Sequence, residues 1–580
     1  MPRYRPVSVR SIHARRLLAV GGFAVLVACS QQPPPAAPAG AAAAPEQAAP
    51  APDTAPPARS APSLPAVEPP DGKWLIDEAS GRRYFLAEMA RVEGWYQWLN
   101  EEKTRVRLPY GMEFDVASYD EDSFQLKMYE VQRQPRGSKV EKREPTPEEK
   151  AQVAASYRSD TGTADRLVFE PFDRGLPTRG QWRNGFEIAD MNGDGHPDIV
   201  HSPIRKGDGR PQIFLGDGKG NWLRWQIQIP PLPYDYGDPA VADFNGDGRL
   251  DLALAMHLRG FAVLVADGPQ SFKDWGKGLD LEGKMDQEGP PFSSRALEAA
   301  DWNGDGRPDL IALGEGPRMG SAPGSGGRGL GGAFGALVYL NQGDGSWVRK
   351  DELADGVGLF GDDLAVADFT NDGRLDMVLA SSVLGEEKIL RIGGVDGDWA
   401  TAGLSQLRPR SYVRAVHAAD LDRDGRTDLA IGYLANELGV WRTGIDLFFS
   451  RAGSAAGEVG WERRGLAFEE GRAWLMALDS GDLDGDGKLD LAALTGKGEV
   501  WLFLGNGDGS FVREQSVEIA PSEGRCSGFD VRIANLDGDA AEELVAGFAG
   551  EPSAMFDPEL CRNEGNLAAW KAAPRRPANR

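Results

Sequence analysis

The sequence predicts an all-β protein: a seven-bladed β-propeller with a small N-terminal β module. Three observations carry this prediction. An acidic nine-residue string occurs seven times, its copies start 52 to 67 residues apart, and β-like apolar stretches flank the copies. A string repeated at this period indicates one supersecondary unit per copy, and seven four-stranded units form a propeller. With 580 residues the chain is also too long for one ordinary core.

Charge and cysteine content limit the classes of function. The formal net charge is −24, and the chain has only three cysteines. Binding of nucleic acid through phosphate contacts requires a basic face, so we expect no nucleic-acid partner. Three cysteines also exclude a disulfide-dense scaffold and a metal site built from several thiolates.

The N-terminus predicts export. Residues 1–28 combine five arginines with a short apolar run, which is typical of a signal peptide and too short for a membrane span. The run ends in Leu26-Val27-Ala28-Cys29, which resembles a bacterial lipobox. The resemblance implies cleavage before Cys29, acylation of that residue and anchoring to the bacterial outer membrane, facing the periplasm or the cell surface. An ordinary cleaved signal is the alternative.

Three segments separate the leader from the propeller. Residues 29–70 hold the acylated cysteine and a Pro/Ala-rich tether, which is extended and has nothing to bury. Period-two alternation over residues 71–135 predicts a small antiparallel module of about five strands. Residues 136–164 form a charged linker, in which Thr146 and Pro147 begin a short capped helix. The propeller occupies residues 165–580.

The repeated string has the donor pattern of a hard-cation site. Its copies start at Asp190, Asp243, Asp301, Asp368, Asp420, Asp482 and Asn535. Positions 1, 3, 5 and 9 offer side-chain oxygens and position 7 offers its carbonyl, while a glycine at position 6 permits the sharp turn. The residue at position 12 is never glutamate, so the string is no EF-hand.

Calcium is the ion that these donors favour, because the ligand set is oxygen-rich and contains no imidazole or thiolate side-chain donor. We expect about six mainly structural Ca²⁺ sites and no other cofactor. An acidic turn that binds no ion is the alternative for any single copy. The predicted metal residues are Asp190, Asn192, Asp194, His196, Asp198, Asp243, Asn245, Asp247, Arg249, Asp251, Asp301, Asn303, Asp305, Arg307, Asp309, Asp368, Thr370, Asp372, Arg374, Asp376, Asp420, Asp422, Asp424, Arg426, Asp428, Asp482, Asp484, Asp486, Lys488 and Asp490.

These strings and their spacing resemble the FG-GAP/VCBS-type repeat family, which includes the integrin α-chain head. The resemblance implies a seven-bladed propeller with calcium in the loop between the first two strands of each blade. Two copies depart from the pattern. Thr370 and Asn371 alter the fourth loop, and the seventh has Asn535, Ala540 and Glu543 where the pattern has Asp, Gly and Asp. We expect the fourth site to be weaker and the seventh to be doubtful.

Two further features concern how the ring closes. Leu167 to Phe172 read as a strand that completes the last blade, although they precede the first one. Cys526 and Cys561 both fall in the last repeat, and in an oxidising compartment we expect a disulfide between them. Two free buried thiols are the alternative.

The functional prediction is a membrane-anchored, calcium-stabilised envelope or cell-surface scaffold that binds a protein or a glycan, as in adhesion. By resemblance to integrins, recognition belongs on the face opposite the calcium hairpins, where residues 230–236 and 314–335 form irregular loops. No catalytic motif is present, so no catalytic residue is assigned. A polysaccharide- or lipid-acting enzyme that uses the same face, or a purely structural envelope protein, is the alternative.

Overall fold

The computed structural model describes six strands between Trp74 and Met128 and most of residues 146–575. In the latter range, residues 158, 160, 206, 208, 284–290, 318–331, 352–358, 439, 454–458, 516–525 and 551–564 are not described. The predicted leader, Cys29 and the tether lie outside the described residues. Among the described helices, none has the length and apolar character needed to cross a bilayer.

The N-terminal strands form one antiparallel meander in chain order, with six strands where the sequence predicts about five. They are Trp74–Asp77, Arg82–Glu88, Tyr96–Asn100, Arg105–Arg107, Glu113–Asp120 and Gln125–Met128. The predicted linker helix follows as Pro147–Ser156, and its first turn closes with a 3.0 Å hydrogen bond from Lys150 N–H to the carbonyl of Thr146.

Seven four-stranded antiparallel blades follow, which confirms the predicted propeller. Blades 1 and 2 contain Phe186–Ala189, Asp198–His201, Gln212–Gly216 and Trp222–Arg224, then Pro239–Ala242, Asp251–Met256, Gly260–Gly268 and Ser271–Asp274. Blades 3 and 4 contain Ser294–Ala300, Asp309–Gly314, Ala336–Asn341 and Trp347–Asp351, then Leu364–Ala367, Asp376–Leu379, Leu390–Gly393 and Trp399–Ala402. A small hairpin of Gly316–Pro317 and Gly332–Ala333 extends blade 3, and a 3₁₀ turn, Val395–Gly397, lies in blade 4.

The last three blades complete the ring. Blades 5 and 6 contain Ser411–Ala419, Asp428–Glu437, Val440–Ala452 and Val459–Glu470, then Leu475–Gly481, Asp490–Thr495, Val500–Gly505 and Phe511–Glu514. Blade 7 contains Ser527–Ala534, Glu543–Ala549 and Leu567–Pro574. Its fourth strand is Leu167–Pro171, which confirms the predicted closing strand. A short strand that the sequence did not predict, Gly162–Ala164, pairs in parallel with the outer strand of blade 6.

Blades pack face to face through apolar side chains. Every residue of the second strand is buried in blades 1, 2, 3, 4, 6 and 7. Sheets covered on both faces need continuous apolar strands, which is why these segments lack polar alternation. The core is therefore a series of interfaces between neighbouring blades.

Strand direction separates two faces of the ring. The acidic string joins the first strand of each blade to the second, so all seven strings lie on one side, the acidic-loop face. The first strands begin on the other side, which also carries the connections between second and third strands and between blades. We call it the connecting-loop face. The first strands surround the centre of the ring, and we call the space between them the channel.

Candidate functional site

The acidic loops are organised by their own carboxylates, as the first loop illustrates. Asp190 accepts hydrogen bonds from the backbone N–H groups of Gly193 at 2.8 Å, Asp194 at 3.0 Å and Gly195 at 2.8 Å. Both glycines have positive φ, 75° and 90°, so the turn requires glycine at these positions. The aspartate at position 1 therefore shapes the loop as well as offering oxygen to an ion.

The carboxylate at position 9 ties each loop to its blade. Asp198 is fully buried and accepts from Met191 N–H at 2.9 Å and from Gly216 N–H, on the third strand, at 3.0 Å. Burial raises the pKa of Asp198 to about 7. Burial also raises the pKa of the equivalent carboxyls, to about 6 for Asp251, Asp309 and Asp376 and to about 7 for Asp428, Asp490 and Glu543.

Basic side chains at position 7 turn back onto the carboxylate at position 5. Arg249 contacts Asp247 at 2.8 Å, and Arg307 contacts Asp305 at 2.5 Å. The same ion pair joins Arg374 to Asp372 and Lys488 to Asp486. The role predicted for position 7 uses its backbone carbonyl, so these side-chain contacts do not conflict with it.

The carboxylates of loops 5 and 6 converge as a site for a hard divalent cation requires. Carboxylate oxygens of Asp420, Asp422 and Asp428 lie within 4.8 Å of one another, and so do those of Asp482, Asp484 and Asp490. Loops 1 to 3 have asparagine at position 3, whose amide oxygen is also a hard donor, and loop 4 has Thr370. A bound Ca²⁺ would neutralise these acids and hold each hairpin together. The assignment of individual ligands stays a prediction.

The seventh loop differs, because an internal cation lies in it. Asp537, Asp539 and Glu543 also bring oxygens within 4.8 Å of one another. The ammonium of Lys571 contacts Asp537, lies 2.5 Å from Asp539 and lies 3.8 Å from Glu543. Burial opposes the charge, but hydrogen bonds to Asp537 and Asp539 outweigh this effect and raise the pKa of Lys571. In this structure the ammonium therefore neutralises acids of the seventh loop.

On the connecting-loop face, the channel opens into a pocket formed by the beginnings of the first strands. The pocket is narrow, with a cavity volume of about 50 Å³, and all seven blades contribute to its lining. Its charged side chains are Glu187, Asp238, Arg295, Glu298, Asp362, Asp363, Arg414, Asp530 and Arg532. The pocket is therefore polar, with more acids than bases.

Ion pairs cross this pocket between blades. Arg295 lies 2.8 Å from Glu315 and 2.7 Å from Asp362, which also pairs with Arg414. Burial favours a neutral Asp362, but the two arginines outweigh it and lower the pKa of that carboxyl. His257 joins the network 2.7 Å from Glu315. These side chains link blades 2, 3, 4 and 5.

Aspartates also connect blades through backbone hydrogen bonds around the channel. Asp238 accepts from Gly185 N–H at 2.5 Å, and Asp530 accepts from Phe186 N–H at 3.0 Å. Asp363 accepts from Val416 N–H at 2.9 Å, and Asp479 accepts from Ile533 N–H at 2.8 Å. Burial, followed by repulsion from Asp530, raises the pKa of Asp238 well above its usual value. Much of the polar lining thus holds the ring together.

An aromatic cluster lies beside the pocket, at the start of strands in blades 5 and 6. The Tyr412 ring is parallel to Trp441 with centroids 6.4 Å apart, and its centroid lies 5.4 Å from that of Trp474. The exposed Arg472 stacks on Trp441 at 4.5 Å, and Arg414 lies 5.9 Å from the Trp474 ring. All three rings are half-buried. We call Tyr412, Trp441, Trp474 and Arg472 the aromatic platform.

A serine–histidine–aspartate contact lies in the first strands of blades 5 and 6. His417 Nε2 is 2.8 Å from Ser480 Oγ, and its Nδ1 is 3.5 Å from Asp479. The His417 and Asp479 side chains are only 7% and 8% exposed, and none of the three residues lines the pocket. A nucleophile must face the space that holds its substrate. We therefore assign the contact to packing between the two blades.

The predicted disulfide and one of the two predicted recognition loops are only partly described by the structure. Cys526 is disulfide-bonded, but Cys561 lies outside the described residues, so their pairing stays a prediction. The loop after Gly314 is described only at its base, since residues 318–331 are not described. The segment 230–236 packs on blade 2 through Leu232 and Tyr234. That segment serves as a packed connector between two blades.

Comparison with known proteins identifies the repeat. The sequence matches the FG-GAP-like repeat family over residues 190–254, 301–379, 368–431 and 482–546, and these segments contain all seven strings. The propeller is built from FG-GAP-like repeats. The FG-GAP-like propeller matches no curated protein. Among solved structures it is similar to an Agrocybe aegerita lectin that recognises non-reducing terminal N-acetylglucosamine, with 16% identity, 70% of this chain and 94% of that chain covered, and a TM-score of 0.39.

Several residues that shape the sites of the FG-GAP-like propeller were not predicted from the sequence. No sequence motif around Lys571 predicts its contacts, because its partners Asp537 and Asp539 lie in the loop between the first and second strands and Lys571 lies on the third. Arg295, Asp362 and Arg414 come from three blades, and the platform residues come from two. The platform could have been predicted from tryptophan and tyrosine residues at or just before the start of a first or third strand. These strands begin on the connecting-loop face.

Proposed function

We propose that the FG-GAP-like propeller is a calcium-stabilised binding scaffold of the bacterial envelope, and that its ligand, a protein or a glycan, docks on the connecting-loop face. The observation that carries this proposal is the aromatic platform beside the channel mouth. Tryptophan, tyrosine and arginine dominate the binding energy of recognition surfaces, because they offer a large rigid area together with polar groups.

The platform combines rings that are already ordered with an accessible cation. Tyr412 and Trp441 are parallel and Trp474 supports Tyr412 at 62°, so little conformational entropy remains to be lost on binding. Arg472 is exposed on the ring of Trp441 and could donate hydrogen bonds to ligand carbonyl, hydroxyl or carboxylate groups. Such a surface suits a sugar ring as well as a peptide.

Calcium has a supporting role in this proposal. Six loops supply the hard oxygen donors, and the position 9 carboxylates link those loops to the third strands. Ions in these loops would stabilise the hairpins on the acidic-loop face and leave the opposite face free for ligand. The proposed lipid anchor at Cys29 and the Pro/Ala-rich tether would hold the propeller away from the bilayer.

The experiment compares matched tryptophan variants of the chain from Ser30 onward. Trp441→Ala and Trp474→Ala alter the platform, whereas Trp399→Ala removes a half-buried tryptophan from a strand that starts on the acidic-loop face. Each protein is applied to a glycan array and to envelope proteins as bait. We expect the platform variants to lose at least ten-fold in ligand affinity, by analogy with hot-spot residues, while Trp399→Ala binds like the wild type.

Equal losses in all three variants would contradict a ligand site at the platform. Turnover of an added polysaccharide or lipid would instead favour the enzyme alternative. Repeating the assay in EDTA separates the role of calcium from that of the platform, because wild-type binding should fall only as far as the fold itself is destabilised.

A further inference from the structure

The seventh acidic loop contains its own cation. Lys571 lies on the third strand of blade 7, and its ammonium reaches carboxylates at positions 3, 5 and 9 of the loop, namely Asp537, Asp539 and Glu543. The same three carboxylates converge within 4.8 Å. The ammonium thus occupies the space into which these acids point.

Strand register shows that this lysine is specific to blade 7. Lys571 follows Trp570, which pairs with Leu544, the residue after position 9. In the six other blades the equivalent residues are all apolar: Leu215, Val265, Leu340, Ile392, Phe449 and Leu504. A lysine is therefore found only where the loop sequence departs most from the repeat.

The seventh loop also differs from the other six at position 1, where it has asparagine in place of aspartate. Asp190 and its equivalents in loops 2 to 6 present two carboxylate oxygens, whereas Asn535 presents one oxygen and one amide nitrogen. The Asn535 Oδ1 atom accepts from Gly538 N–H at 2.6 Å, and its Nδ2 atom donates to the carbonyl of Asp539 at 2.6 Å. Position 1 therefore supplies one negative charge and one ligand oxygen fewer than in loops 1 to 6, while the acids at positions 3, 5 and 9 leave loop 7 with three carboxylates, as many as each of loops 1 to 4 has at its ligand positions. The tethered ammonium, and not the number of acids, distinguishes the seventh loop.

We propose that Lys571 replaces the metal ion of the seventh loop, so that this blade folds without calcium while loops 1 to 6 take it. The proposal rests on the proposed calcium binding of those six loops. An ammonium tethered to a neighbouring strand neutralises the acids of the loop at every calcium concentration. Blade 7 joins the two ends of the propeller sequence, so ring closure becomes independent of the ion supply.

The test counts calcium bound per chain by equilibrium dialysis and elemental analysis. Lys571→Met restores an apolar side chain like those of the other blades, and Lys571→Arg keeps the charge. Leu215→Lys places a lysine at the equivalent half-buried position of blade 1. We expect Lys571→Met to bind one calcium more than the wild type or to melt at a lower temperature in EDTA, Lys571→Arg to match the wild type, and Leu215→Lys to bind one calcium fewer.

Anomalous diffraction from wild-type crystals grown in calcium supplies the second readout. An ion in the seventh loop beside Lys571 would overturn the proposal. So would a Lys571→Met variant that gains no calcium and melts in EDTA like the wild type. If wild-type protein binds no calcium in any loop, the proposed calcium binding fails, yet the melting temperature of Lys571→Met in EDTA still tests the lysine.

Discussion

Trp570 pairs with Pro171 across the two outer strands of blade 7, although the two residues come from opposite ends of the propeller sequence. The register continues through Phe169 with Ala572 to Leu167 with Pro574. Phe169 also packs on the core shared by blades 6 and 7. The ring is thus closed by hydrogen bonds between the two ends of the propeller sequence, in the same blade in which Lys571 contacts the acidic loop.

Breaking this closing strand should destabilise the whole propeller. Val168→Pro removes the backbone donor of a hydrogen-bonded pair with Ala573, and we expect a loss of about 1 to 3 kcal/mol in the free energy of unfolding. Urea denaturation measures it. The exposed Glu170→Thr serves as the control in the same strand and should change stability by less than about 0.5 kcal/mol. Equal effects would mean that the strand does not hold the ring closed.

Calcium should stabilise the chain through a defined ligand at position 3. At a calcium concentration of about 100 times Kd, each filled loop adds about 2.7 kcal/mol, so EDTA should lower the melting temperature. Asp484→Ala should lose one ion, whereas Asp484→Asn should keep it, because loops 1 to 3 have asparagine there. Asp508→Ala, in a turn outside the proposed ligand set, is the control. Calorimetry that finds no difference between EDTA and millimolar calcium would refute the structural role.

The linker helix is held on blade 5 by a buried cation between two tyrosines. Arg408 lies 4.1 Å from the ring of Tyr157 and 4.8 Å from that of Tyr433, and it pairs with the buried Asp446 at 2.8 Å. Tyr157 also donates a 2.9 Å hydrogen bond to Glu437. The segment before the first blade is therefore part of the propeller's packing.

Tyr157→Ala should release this helix and cost about 3 to 5 kcal/mol, as for other buried aromatic truncations. Tyr157→Phe keeps the ring and should cost only about 1 kcal/mol, the value of one hydrogen bond. Limited proteolysis of the segment Pro147–Ser156 reports the release, and urea unfolding gives the free energies. Cleavage at equal rates in both variants would show that the ring does not anchor the helix.

Short sequence patterns were sufficient to predict most of the fold. Each loop string begins and ends beside apolar strands, and the glycines near its centre need positive φ, so seven hairpins follow from short stretches of sequence. Leu167 to Phe172 had the same apolar signal, which is why the closing strand could be predicted. Gly162–Ala164 has no such signal, since its three small residues form a strand only by pairing with Val512 to Glu514.

Contacts between distant segments could not be predicted. Tyr157 meets Arg408, and Arg295 meets Asp362, only because the ring brings separate blades together. The contacts of Lys571 could be predicted only from the register of the third strand, which the sequence does not specify. The site was thus predictable where donors are close in sequence, as in the acidic loops. It was not predictable where they converge from several blades, as at the channel mouth.

A buried histidine should make stability depend on pH. His201 is fully buried beside Trp182, with Nδ1 2.7 Å from the carbonyl of Ser202, and burial lowers its pKa to about 4. The unfolded chain, with an ordinary histidine pKa of about 6.5, binds the proton more tightly than the folded one. Stability from this residue is therefore complete above pH 6.5 and falls as the pH drops toward 4.

Comparing the wild type with His201→Gln isolates this contribution, because the other titrating groups are common to both proteins. The difference at pH 8 gives the packing change alone, since the histidine is neutral in both states there. Between pH 6.5 and 4 the wild type should lose up to about 3 kcal/mol relative to the variant, as measured by urea unfolding. A constant difference across this range would mean that His201 takes up its proton in the folded state as easily as in the unfolded one.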